Sequence, residues 1–85
     1  MYKVSYRKAA LKYLRKMPKN RAVNFIDAFK LIAKRDTEGL NITKFKQLDG
    51  AYRLRIGDYR AIYIVTKTEL IIEVITIGSR GDVYK

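Results

Sequence analysis

Neither histidine nor cysteine occurs anywhere in the chain, and tryptophan is missing as well. Their absence excludes Ser-His-Asp catalysis, cysteine nucleophiles and the usual thiolate or imidazole zinc sites. No disulfide can staple the fold, which fits a reducing compartment. Acidic residues number only eight and lie scattered, which argues against the carboxylate pair of a glycosidase. No Gly-rich phosphate loop is present. No apolar stretch approaches the ~20 residues that span a bilayer, and Tyr2 to Tyr6 is too short and mixed for a signal peptide core. These absences lead us to expect a soluble, cytoplasmic protein with no membrane span and none of the usual zinc sites. Its chemistry must rest on Arg, Lys, Tyr and at most an Asp or Glu.

What the chain does contain is basic charge. Nineteen Lys and Arg against eight Asp and Glu leave +11 on 85 residues, enough for a single domain over 1–85. Charge of this size opposes compaction, so a chain that folds while keeping it points to a polyanionic partner. Nucleic acid comes first, an anionic membrane second and an acidic protein third. Solubility alone is the plain alternative. With 48% hydrophobic residues there is material for a modest core.

Periodicity divides the chain. Tyr2 to Tyr6 alternates apolar and polar, as a half-buried strand does. From Arg7 to Met17 the period becomes helical, with Ala10, Leu11, Leu14 and Met17 on one face and Lys8, Lys12, Arg15 and Lys16 outside. Pro18 stops that helix and is tolerated in the first turn of another. Ala22, Phe25, Ile26, Phe29, Ile32 and Ala33 then follow the helical template, ending at Asp36 to Gly39. Two such helices with a short joint predict an antiparallel helical hairpin. Leu40 to Asp49 has no firm period and reads as a connector, with Phe45 and Leu48 reaching the core.

After Gly50 the pattern is that of strands. Tyr52, Leu54 and Ile56 alternate with Arg53 and Arg55. Gly57-Asp58 suits a two-residue type II′ turn, Tyr59 to Val65 returns, and Lys67-Thr68 marks the next turn. Leu70 to Ile77 is nearly all apolar, as in a strand covered on both faces. The expected fold is α+β: a small, twisted, mainly antiparallel sheet of about four strands in the order β-α-α-β-β-β, with the helical hairpin packed on one face.

The arginines of this half are the candidate site. Arg53 and Arg55, two apart on one strand, share a face, and the tight turn brings Arg60 back beside Arg55. Arg80 follows the last strand, with Tyr84 four residues on. Guanidinium matches phosphate through bidentate charged hydrogen bonds. Taken singly, each has an ordinary explanation. Arg53 and Arg55 fit the solvent face of any amphipathic strand, Arg60 a pairing with Asp58 or Glu73, and Arg80 and Tyr84 a basic tail. Lys44 and Lys46 sit in the connector as possible phosphate contacts, and the first helix's lysines act only at long range.

Together the segments "YRLRIGDYRAIY" (52–63) and "GSRGDVY" (78–84) resemble the RelE family of toxins from bacterial toxin–antitoxin pairs, a resemblance that covers essentially the whole chain. It implies a RelE-like fold and a ribosome-dependent endoribonuclease that cuts mRNA in the ribosomal A site and so inhibits translation. In that reaction the ribose 2′-hydroxyl attacks the adjacent phosphate without a metal. By position, Arg53 and Arg55 match the family's paired basic residues, Arg60 and Arg80 its phosphate-stabilising arginines, and Tyr84 its tail tyrosine. Lys44, Lys46 and Ser79 fall to RNA binding. The resemblance also implies a separate antitoxin partner, with any DNA contact made only indirectly through it.

Two departures bear on proton transfer. Some members carry lysine where Arg53 and Arg55 stand, and many carry histidine at the position of Ser79. Arginine effectively cannot lose a proton, and the missing histidine is the residue best suited to shuttle one, which leaves Tyr84 as the candidate base. The rival reading is the ParE branch of the same superfamily, which binds and poisons DNA gyrase without nuclease chemistry. A plain basic RNA-binding domain stands third, because Tyr52, Tyr59 and Tyr63 fall on the apolar side of their strands and leave few aromatics free to stack on bases.

Overall fold

Alternating and helical periods translate directly into the elements of the computed structural model, which describes residues 1–79. Their order is β1 (Lys3–Tyr6), α1 (Lys8–Lys16), α2 (Lys19–Ala33), β2 (Asn41–Lys44), β3 (Ala51–Ile56), β4 (Tyr59–Thr66) and β5 (Ile71–Ser79). The strands form one sheet in the spatial order β1-β5-β4-β3-β2. β1 runs parallel to β5 and every other neighbouring pair is antiparallel. The expected α+β architecture is present, enlarged by β2 inside the stretch read as a connector. Its sequence, Asn-Ile-Thr-Lys, has a single apolar residue, so no alternation announces it. It is an edge strand whose ladder is supplied by β3.

Both helices cover one face of the sheet. α1 lies mainly against β5, and α2 against β1 and β3. Phe25 and Phe29 of α2 are fully buried with Leu54, Val74 and Ile72 beneath them. Phe29 meets Tyr6 and Tyr63 edge-on, with centroids 5.9 and 5.4 Å away. The buried stripe of α2 is Phe25, Ala28, Phe29, Ile32 and Ala33. Ile26, expected inside, is 37% exposed. A helix lying on a flat sheet buries a narrower stripe than one enclosed in a bundle, and small Ala28 permits the close approach. Leu11 of α1 is likewise on the outer edge of its stripe.

Termini and turns follow local chemistry. α2 ends in a Schellman arrangement: the Arg35 amide donates to the Ile32 carbonyl and the Asp36 amide to Leu31, both at 2.9 Å, with Arg35 at φ 64°. In the β3–β4 hairpin Gly57 has φ 60° while Asp58 has no positive φ, as a type II′ turn requires. The second hairpin turn spans 67–70, two residues longer than expected. A bulge in β5 pairs Ile62 with Thr76 and Tyr63 with Val74, which leaves Ile75 over. That extra residue shifts the alternation within the nearly all-apolar β5. Val74 and Ile77 face the helices, while Ile75 joins Phe45, Ala51 and Ile62 in a small cluster on the opposite face.

Candidate nucleic-acid interface

The face of the sheet that the helices leave bare carries the arginines. In the β3–β4 ladder Arg55 stands directly opposite Arg60, and Arg53 opposite Ile62. Arg53 and Arg60 are therefore diagonal neighbours, with β-carbons roughly 7 Å apart by sheet geometry. Three guanidiniums thus rise from four adjoining sheet positions. On its other side Arg60 pairs with Gly78, which has no side chain to compete for the space above the strand.

Two of these side chains hold nitrogens in an unusual state. Arg53 Nε and Arg60 Nη1 are buried and have no hydrogen-bond partner among the described residues. Arg55 is exposed, and its Nε donates to the Gly57 carbonyl at 3.1 Å. Glu73, considered above as a partner for Arg60, is engaged by Arg7 instead: Arg7 Nε donates to one carboxylate oxygen at 2.8 Å and Nη2 to the other at 3.4 Å. Among the described residues neither Arg53 nor Arg60 forms an ion pair. Buried donors without acceptors are costly and rare in folded proteins. Glu73, which pairs with Ile64 and so shares this face, is already engaged by Arg7, and the two nitrogens are left as donors open to an anion.

Sequence comparison supplies the family. The model of the ParE toxin of type II toxin–antitoxin systems matches residues 4–84. The chain belongs to this toxin family. No curated protein matches it. Among solved structures, the archaeal RelE–RelB complex from Pyrococcus horikoshii OT3 contains a chain 29% identical, with a TM-score of 0.79 over 95% of the toxin and 97% of that chain. The intact E. coli RelBE complex gives 20% identity and a TM-score of 0.79, covering 93% and 96%. The RelB–RelE complex of Methanococcus jannaschii gives 22% and 0.68, covering 88% of each chain. The toxin thus has the RelE-like fold and lies within the RelE/ParE superfamily.

The remaining candidate residues of the toxin fall in different places. Lys44 pairs with Tyr52, whose ring belongs to the helix side, so the register sets Lys44 on the face away from the arginines. Lys46 is exposed in the loop after β2. Ser79 pairs with Tyr59, again out of phase with Arg60 and Gly78. Arg80 and Tyr84 lie outside the described residues. Thr43 and Asn41, which face Arg53 and Arg55 across the β2–β3 ladder, share the arginine face and escaped notice because β2 itself did.

The described tyrosines of β3 and β4 serve the core. Tyr63 stacks on Tyr52, with centroids 5.7 Å apart, and Tyr59 meets Tyr13 edge-on. Burial, reinforced by Tyr52, pushes the Tyr63 phenol well above its ordinary range, and burial raises Tyr6 too. Neither is suited to give up a proton near neutrality. What the described part of the arginine face offers is charge stabilisation, with its Glu73 carboxylate already engaged by Arg7.

Proposed function

We propose that this toxin is a ribosome-dependent endoribonuclease that cleaves mRNA held in the ribosomal A site and thereby stops translation. The observation that supports it best is the pair of buried guanidinium nitrogens, Arg53 Nε and Arg60 Nη1, which have no partner among the described residues, on a face whose Glu73 carboxylate is already taken by Arg7. In the reaction the ribose 2′-oxygen bonds to the adjacent phosphorus as the bond to the 5′-oxygen breaks. A 2′,3′-cyclic phosphate and a 5′-hydroxyl result. The 2′-hydroxyl proton leaves to a base, and the departing 5′-oxygen takes one up. Arg53, Arg55 and Arg60 supply donors for the extra charge on the pentavalent phosphate. Arg80 adds a further guanidinium in this scheme. Tyr84 receives the 2′-hydroxyl proton or stacks on a base, and Lys46, exposed in the loop after β2, adds a contact to the RNA backbone, whereas Lys44 and Ser79 are set on the other face.

By analogy with the solved RelE–RelB complexes, the toxin's partner is a cognate antitoxin, and a +11 chain suits an acidic segment that covers it. The site of action is the cytoplasm, and DNA is reached only through the antitoxin. The second reading, gyrase inhibition by binding alone, is favoured by the description of the matching family model.

The test uses translating ribosomes programmed with a defined mRNA, with 5′ ends mapped by primer extension. Cleavage confined to the A-site codon is expected, falling by about 10²–10³ in Arg60→Ala, as for loss of one transition-state donor. An intact message alongside inhibited gyrase supercoiling would replace this reading with the second. Tyr84→Phe at an unchanged rate would leave the phenol only a stacking role.

A further inference from the structure

We infer that Arg21 of α2 is an additional phosphate-binding residue, carrying the anion-gripping surface around the tip of the β3–β4 hairpin; the inference rests on the RNA reading above. α2 begins as the backbone amides of Arg21 and Ala22 both donate to the Pro18 carbonyl at 3.0 Å. Arg21 therefore sits in the first turn, where its side chain reaches the hairpin. A carbon added at Gly57 would lie 3.4 Å from Nη1, 3.5 Å from Cζ and 3.6 Å from Nη2 of Arg21. Three nearly equal distances mean that the guanidinium turns a face toward the hairpin tip, far enough away for ordinary van der Waals contact with a side chain there.

The opposite side of the same residue is also held. Arg55, which the register puts on the bare face, donates from Nε to the Gly57 carbonyl. Two guanidiniums, one from the helix layer and one from the sheet, therefore bracket a single glycine. Among the described residues the Arg21 guanidinium makes neither a hydrogen bond nor an ion pair, although Asp58 adjoins Gly57. Its side chain is only half-buried. Like charges held around one turn repel unless an anion joins them. A phosphodiester strand crossing Arg60 and Arg55 meets Arg21 next as it passes over the tip. With its face toward the turn, the guanidinium keeps its edge, and its donors, free for a phosphate oxygen.

The probe is a fluorescent 2′-O-methyl oligoribonucleotide of about ten nucleotides, which 2′-hydroxyl attack cannot cut. Binding is followed by anisotropy across a salt series for the wild type, Arg21→Gln, Arg21→Lys and Arg60→Gln. Losing one phosphate contact lowers the slope of log K against log salt by about 0.7 for single strands. That loss is expected in Arg21→Gln, restored in Arg21→Lys, and accompanied by an unchanged thermal midpoint. A wild-type slope in Arg21→Gln overturns the inference, and if Arg60→Gln still lowers the slope, the RNA reading survives. A lowered slope that appears only with a lowered midpoint, and that lysine does not rescue, assigns Arg21 a structural role and also overturns it. A wild type without salt-dependent binding overturns both.

Discussion

Replacing Arg60 with methionine should make this toxin more stable while disabling it. Methionine keeps an unbranched apolar stem of similar reach, so the packing of β4 against its neighbours is largely retained. Two unfavourable terms disappear. The first is the buried Nη1 without an acceptor, for which an unsatisfied donor costs about 1–3 kcal/mol. The second is repulsion from Arg55 directly opposite, of the order of 0.2–1 kcal/mol for a cross-strand pair. Arg60 is half-exposed and its other nitrogens remain partly hydrated, which favours the lower part of both ranges. The expected gain is about 1–2 kcal/mol, or roughly 5–15 °C in Tm for a domain of this size.

Urea unfolding checks this as a rise in midpoint at constant m. Raising the salt should remove the repulsive part of the gain and leave the part due to the orphaned donor. Arg55→Met is the control. Its Nε already has the Gly57 carbonyl, so relief of repulsion is offset by a lost hydrogen bond and stability should shift by less than about 0.5 kcal/mol. An Arg60→Met protein no more stable than wild type would refute the claim that Arg60 is held in an uncompensated state. A stabilised variant that still cut or bound RNA normally would refute its functional role instead.

Two further substitutions probe the frame around the site. Gly50 has φ 70°, and a β-carbon there would lie 3.4 Å from the Val65 carbonyl oxygen, so Gly50→Ala should cost about 1–2 kcal/mol of unfolding free energy by urea titration. Tyr63 is a core phenol whose folded pKa lies above its ordinary value of 10.0. Its contribution is therefore complete below about pH 10 and lost as pH rises further, with a slope of at most ~1.4 kcal/mol per pH unit. Tyr63→Phe should flatten the alkaline fall in stability, and an unchanged alkaline profile would count against the buried, neutral phenol.

The arginine face was legible because a strand's period of two is a rigid rule. Arg53 and Arg55 must share a face, and a two-residue turn forces Arg60 into line with Arg55. Legibility failed where pairing depends on a partner that local pattern does not name. β2 contains one apolar residue, so neither its existence nor its register was visible. Lys44 consequently looked like a neighbour of the arginines when the ladder sets it on the other face. Glu73 had two arginines within conceivable reach, and only the parallel pairing of β1 with β5 brings Arg7 to it. Arg21 carried no signal at all. Its significance arises from a helix terminus meeting a glycine thirty-six positions away, a contact that no window along the chain contains.

The bare face also shows why a charge cluster here is worth its cost. Beside the arginines lies the cluster of Phe45, Ala51, Ile62 and Ile75, with Leu48 and Ile64 at its margin. Arg53 stands opposite Ile62 of that cluster, and the bulge that delivers Ile75 to it is what thickens this side of the sheet. Apolar neighbours strip water from Arg53 Nε, which is unfavourable while no anion is present. The same lowered local dielectric strengthens its hold on a phosphate and sharpens the response to charge that develops on one. Were the neighbours polar, the resting protein would be more stable and the guanidiniums would lose much of their force, since water would already satisfy them. On the proposed reading, the orphaned nitrogens and the adjoining apolar cluster are two halves of one device: a face kept unfavourable when empty, so that an RNA phosphate is favoured when it arrives.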